Sequence, residues 1–133
     1  MKISDIEGIG PAFANKLAKA GVRSVEGLLK AGAAPRGRKQ IAQESGLDEK
    51  LVLGWVNRAD LYRIKGVGAQ FSDLLEKAGV DTVVELSKRA PANLYSKMKE
   101  VNQAKNLVNG MPGLHRVEGW VAQAKKLPRV VTY

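Results

Sequence analysis

Residues 6–22 read IEGIGPAFANKLAKAGV, and residues 64–80 read IKGVGAQFSDLLEKAGV. The two stretches align at an offset of 58 residues. Ile6 falls on Ile64, Gly8 on Gly66, Gly10 on Gly68 and Phe13 on Phe71. Leu17 falls on Leu75, and Ala20-Gly21-Val22 on Ala78-Gly79-Val80. The match continues through Val25 on Val83 and Leu28 on Leu86. Trp55-Val56 then resembles Trp120-Val121 at an offset of 65, so the second copy is about seven residues longer. Repetition at a fixed offset resets the reading of the whole fold. It predicts a first repeat over residues 1–60 and a second over 61–133, with a junction near Asp60.

The local grammar is helical. Pro11 stands where a first helical residue is expected, since it has no N–H to leave unpaired. Phe13, Leu17 and Ala20 recur at spacings of four and three, the period of one helix face. Gly21 is placed as a left-handed stop. Ser24 is a cap for a short helix carrying Val25, Leu28 and Leu29. Pro35 opens a further helix that Gly46 closes, and Asp48 caps one carrying Leu51, Val52, Trp55, Val56 and Ala59. The second copy predicts a helix over 69–78 stopped by Gly79. A capping box of Thr82 and Glu85 follows, then a long helix opened by Pro91. A last helix is expected over about Val117–Lys126, then an extended tail from Pro128 to Tyr133 with no partner segment in view. No alternating run insists on a sheet. The expected class is all-α, two repeats packed into one compact helical unit.

Composition agrees and excludes much else. The chain has 133 residues, 44% hydrophobic and 26% charged, the balance of a folded globular chain. Aromatics are only 5%, against the Tyr- and Phe-rich strands of a sandwich or barrel. Cysteine is absent and His115 is the sole histidine, which removes disulfides, thiolate zinc sites and histidine dyads. No carboxylate pair has a spacing suited to acid–base or two-metal chemistry, so no enzymatic activity is expected. No stretch approaches the apolar length of a membrane span, and the first residues lack a signal peptide's apolar core. A cytoplasmic protein is expected. Twenty-two Lys and Arg face 13 Asp and Glu, a net charge of +9. Such an excess suits a polyanionic partner, although solubility alone also accounts for it.

Each copy carries apolar-x-Gly-apolar-Gly at a turn feeding a helix: Ile6-Glu7-Gly8-Ile9-Gly10 and Ile64-Lys65-Gly66-Val67-Gly68. Glycines admit positive φ and put no side chain in front of the backbone. Ile9 or Val67 can point inward as an anchor. The first amides of the following helix lack intrahelical acceptors and sit at the positive end of its dipole, a combination suited to phosphate. Neither glycine pair has the downstream Lys-Ser/Thr of a nucleotide P-loop.

On these residues the chain resembles the helix-hairpin-helix family, in which two helices are joined by a Gly-apolar-Gly hairpin with a small residue four places on. Ala14 and Ser72 fill that place here. Ala-Gly-Val followed by Val-x-x-Leu also resembles the tandem arrangement in the C-terminal domain of the α chain of RNA polymerase. Over its whole length the chain resembles a small bacterial family of tandem helix-hairpin-helix proteins, a likeness that supplies a fold and little biochemistry. The resemblance implies sequence-independent capture of double-stranded DNA phosphates by Gly8, Ile9, Gly10, Gly66, Val67 and Gly68. It admits a monovalent cation on the hairpin carbonyls and implies no other cofactor. It also implies location with the nucleoid.

Basic residues following the turns extend the candidate surface: Lys16 and Lys19, the cluster Arg36, Arg38 and Lys39, and Lys65 within the second turn. The same cluster read plainly is a solvated helix face. Glu7 opposes a phosphate at the first turn, and only the second is preceded by a full helix, about Asp48–Leu61. The second turn is therefore expected to be the better site. The rival class is a protein-interaction adaptor whose hairpins only join helices. Trp55 and Trp120, at matching places on amphipathic helices, are expected to be core anchors rather than base-stacking platforms. His115 is expected at the surface.

Overall fold

Proline, glycine and hydroxyl caps set the helix boundaries in the computed structural model, which describes residues 1–133. Pro11 opens α1 (Pro11–Lys19), and Gly21 leaves it at φ 80°. The Ser24 hydroxyl accepts from the Gly27 N–H at 2.9 Å and starts α2 (Val25–Gly32). Pro35 opens α3 (Pro35–Ser45), which Gly46 ends at φ 73°. The Asp48 carboxylate accepts from the Lys50 N–H at 2.8 Å at the head of α4 (Glu49–Leu61). The second half follows the same order: α5 (Ala69–Lys77), then Gly79 at φ 96°, α6 (Val83–Ser87) capped by Thr82, α7 (Pro91–Lys105) and α8 (Leu114–Lys126). The molecule is all-helical, with a single β-bridge between Lys2 and Ser24 and no strand. Helix α8 begins three residues before its expected start. Extended Gly113 serves as its N-cap and admits His115, fully exposed, to the first turn.

The chain divides into two compact units, Met1–Asp60 with Val130–Tyr133, and Leu61–Arg129. In the first unit, Ile6, Ile9, Leu17, Val22, Leu28, Val52, Trp55 and Val56 are buried. The second buries Ile64, Val67, Leu75, Val80, Leu86, Val117, Trp120 and Val121. Each large aliphatic side chain so buried stabilises its unit by roughly 1.5–3 kcal/mol. Trp55 and Trp120 are 4% and 3% exposed, the core anchors the pattern predicts. Trp55 meets Phe13 at 5.2 Å between ring centroids, and Trp120 meets Phe71 at 5.4 Å. Both pairs are tilted, a favoured aromatic geometry.

Helix α4 stands where the sequence predicts a leading helix for the second turn, but its packing assigns it elsewhere. Trp55 brings it against α1 through Phe13, within the first unit. Helix α8 does the same in the second unit through Trp120 and Phe71. Each glycine turn is thus closed by a tryptophan helix that comes later in its own unit. A full helix nevertheless precedes only the second turn, as the sequence predicts, and the first follows a three-residue 3-10 helix, Ile3–Asp5.

The tail also has a place. The Thr132 N–H donates to the Ala33 carbonyl at 2.8 Å, Val131 is 3% exposed, and the Tyr133 hydroxyl lies 3.1 Å from Asn57 Oδ1. The segment forms no ladder, since one backbone bond to a helix end is not a strand pair.

Candidate functional site

The two glycine turns have one geometry. The Ile9 N–H donates to the Ile6 carbonyl at 3.1 Å with Gly8 at φ 93°, and the Val67 N–H donates to the Ile64 carbonyl at 3.1 Å with Gly66 at φ 95°. Each is a four-residue turn with a left-handed third position, the arrangement that requires glycine there. Glu7 and Lys65 are the exposed second residues. The turns close toward the tryptophans. A Cβ on Gly8 would lie 3.7 Å from the Trp55 indole nitrogen, and one on Gly66 only 3.1 Å from that of Trp120.

Extended Gly10 and Gly68 then cap α1 and α5, and a Cβ on either would meet nothing within 4 Å. The space in front of both is open. Intrahelical bonding begins with Ala14 N–H to Gly10 and Ser72 N–H to Gly68, each at 2.9 Å. The amides before these bonds point out of the helix end. Around the first turn they belong to Gly10, Ala12 and Phe13, because Pro11 has none. Around the second they belong to Gly68, Ala69, Gln70 and Phe71, so Ala69 in place of proline adds one donor.

Several sequence-derived candidates change role. Ile9 and Val67 are 4% and 5% exposed, and their amides are spent closing the turns. They anchor the site and offer no donor to a ligand. Lys16 and Lys19 are exposed but lie in the last turn of α1. At 1.5 Å rise per residue they stand roughly 9 and 14 Å along the axis from Gly10. They complement the negative end of the helix dipole there. Arg36 and Lys39 are exposed beside a shallow depression on α3 that also involves Gln40, Gln43 and Glu44.

Arg38 is the clearest correction. Its neighbours in the sequence group it with Arg36 and Lys39 as a phosphate contact, yet it is 4% exposed. Its Nη1 donates to the carbonyls of Gly32 at 2.8 Å and Ala33 at 3.0 Å, and its Nη2 to that of Thr132 at 2.7 Å. Its guanidinium also lies 5.7 Å from the Tyr133 ring centroid. The side chain satisfies the open carbonyl end of α2 and clamps the tail. None of this is a surface role.

Two residues of the second turn carry no clear mark in the sequence. Gln123 on α8 grips Lys65 by its backbone, accepting from the N–H at 2.9 Å and donating to the carbonyl at 3.2 Å. The Lys65 amide is therefore occupied, and its side chain is what projects. Arg116, also on α8, holds its guanidinium carbon 5.2 Å from the Phe71 centroid and 5.6 Å from that of Trp120. Its Nη2 would lie 3.8 Å from a Cβ on Gly66. The one available signal is its place one helical turn before Trp120. No cluster of three or more His, Cys, Asp or Glu side chains is placed to hold a metal ion. No helix is long and apolar enough to cross a membrane.

The fold and site thus define an all-helical protein with a pair of left-handed glycine turns, each opening a helix. The chain belongs to DUF4332, a family described as a domain of unknown function, whose profile it matches over residues 7–127. No curated protein and no solved structure matches it significantly.

Proposed function

We propose that the protein binds the nucleic-acid backbone without reading sequence, through helix-hairpin-helix turns in tandem, and that its partner is double-stranded DNA. The observation that carries this reading is the open face of the second turn. There the free helix-end amides of Gly68, Ala69 and Gln70 follow a turn that carries the exposed Lys65 and has the Arg116 guanidinium beside Gly66. Backbone donors and cations gathered at one turn suit a phosphate. The choice of DNA over RNA follows from the resemblance to helix-hairpin-helix proteins. On this reading the chain is a binder with no chemistry of its own and works where the chromosome is. The adaptor reading keeps the same turns as helix joints and assigns the charge to solubility.

Titration of a labelled duplex against salt separates the two. Affinity should fall by about 0.9 log units per log unit of salt for each phosphate neutralised, with roughly four to six engaged. Absence of binding at low salt would promote the adaptor.

The two turns should respond in opposite directions to charge. Lys65→Glu places a carboxylate beside the phosphate and should lower the salt slope by about one. Glu7→Lys removes a like-charge repulsion at the first turn and should strengthen binding at low salt. Both side chains are exposed, so the thermal transition should move little, within about 0.5 kcal/mol. Parental binding by both variants would mean that neither turn holds phosphate.

A further inference from the structure

We infer that Arg116 is the principal phosphate-gripping side chain of this protein, that it takes an internal phosphodiester, and that only the second unit has such a grip. This deepens the proposed DNA-binding function and rests on it.

Arg116 is oriented without spending its donors. Its guanidinium carbon lies over the Phe71 and Trp120 rings, at 5.2 and 5.6 Å from their centroids. These rings are themselves locked together and partly or wholly buried. A cation–π contact holds a guanidinium near a ring by its charge and needs no hydrogen-bond partner, so its N–H groups stay available to an anion. No carboxylate pairs with it. Glu118, two positions on in α8, instead lies 3.9 Å from His115. A pre-aimed guanidinium binds an anion at lower entropic cost than a swinging lysine, and its fork matches two oxygens at once. An internal phosphodiester presents two such non-bridging oxygens.

The location supports the assignment. The Nη2 atom stands beside Gly66, where a Cβ would lie within 3.8 Å of it, so the fork borders the turn's exposed backbone. Lys65 adds a second cation on that turn.

The first unit keeps the turn and the aromatic pair, Phe13 and Trp55, but lacks both cations of this grip. The Trp55–Trp120 correspondence places Leu51, 38% exposed, where the second unit has Arg116. Glu7 stands where the second unit has Lys65. Both units keep the buried framework of Val52 and Val117, Trp55 and Trp120, Val56 and Val121, Ala59 and Ala124. At the rim the two positions of Arg116 and Lys65 differ in charge between the units.

The test is a salt titration of a labelled, covalently closed duplex minicircle, which has no terminal phosphate, against the full chain and its Arg116→Leu, Arg116→Gln and Arg116→Lys variants. Arg116→Leu copies the first unit. It should lower the slope by about one and the affinity by about tenfold at moderate salt. Arg116→Gln, which stays polar, should do the same, so that a folding defect peculiar to leucine cannot decide the outcome. Arg116→Lys should keep the slope and lose affinity, because the charge survives and the fork does not. Steep parental binding with unchanged slopes in the Leu and Gln variants would overturn the role of Arg116 and leave the DNA reading standing. No minicircle binding by the parental chain would overturn both.

Discussion

Arg38→Ala should lower the stability of the first unit by about 3 kcal/mol. The guanidinium is 4% exposed and donates to three carbonyls, those of Gly32, Ala33 and Thr132. Hydrogen bonds from a charged donor contribute about 1.5–3 kcal/mol each, and loss of the donor strands buried acceptors. Water entering the vacated space would recover part of the loss, which keeps the sum near 3 rather than at three full bonds. The second unit shows the apolar alternative. Its long helix α7 carries Leu94 three residues after Pro91, as α3 carries Arg38 three residues after Pro35, and Leu94 is fully buried. The second unit therefore needs no such cation at this place, whereas the first has a tail carbonyl to hold. Urea unfolding of Arg38→Ala measures the cost, and hydrogen exchange at the Thr132 amide reports the release of the tail. A duplex salt slope equal to the parent's, measured where the variant is folded, is expected. A stable variant with a reduced slope would return Arg38 to the phosphate surface.

Gly37→Ala should cost about 3 kcal/mol, although alanine is the better helix former. A Cβ built on Gly37 falls inside the van der Waals envelope of the Ala31 carbonyl oxygen, and the Gly32 Cα lies 3.8 Å away. The obstacle is backbone, so no rotamer change relieves it, and α3 must move away from the end of α2. The same shift would lengthen the Arg38 bonds to Gly32 and Ala33, so the two sites should be coupled. Adjacent residues sharing one contact commonly show non-additive effects. The double variant Gly37→Ala/Arg38→Ala should therefore cost less than the sum of the singles. Gly54→Ala is the control. Gly54 lies in α4 with nothing within 4 Å of its built Cβ. That substitution should stabilise the protein by about 0.5–1 kcal/mol through helix propensity alone. Urea midpoints of the three variants provide the comparison. Equal effects at Gly37 and Gly54 would contradict the close approach of α3 to α2.

Helix boundaries are legible in the sequence because their causes are local. Pro11, Pro35 and Pro91 each open a helix, since a residue without an N–H loses nothing at the first position. Gly21, Gly46 and Gly79 each end a helical segment at positive φ, which side chains resist. Ser24 and Thr82 cap through bonds to the residue three places on. The left-handed glycines of both turns and the inward Ile9 and Val67 are readable for the same reason. The boundary that fails is that of α8, where Gly113 is an N-cap without a capping side chain.

Residues 6–22 and 64–80, with Trp55 and Trp120, determine by themselves that the chain is helical, that it repeats, and that its turns expose backbone before a helix. Those properties depend on interactions within about four residues and on hydrophobic period. Tertiary structure alone decides which side chains reach the turns. Arg116 is 50 positions from Gly66 in sequence yet beside it in space, and Gln123 is 58 positions from Lys65 yet holds both its backbone groups. Arg38 and Arg36 have the same charge two positions apart, but a helix turns about 200° over that interval, so one is buried against α2 and the tail while the other meets solvent. A sequence lists its cations equally. Only the packing of α3 and α8 separates those that hold the protein together from those left facing outward with donors to spare.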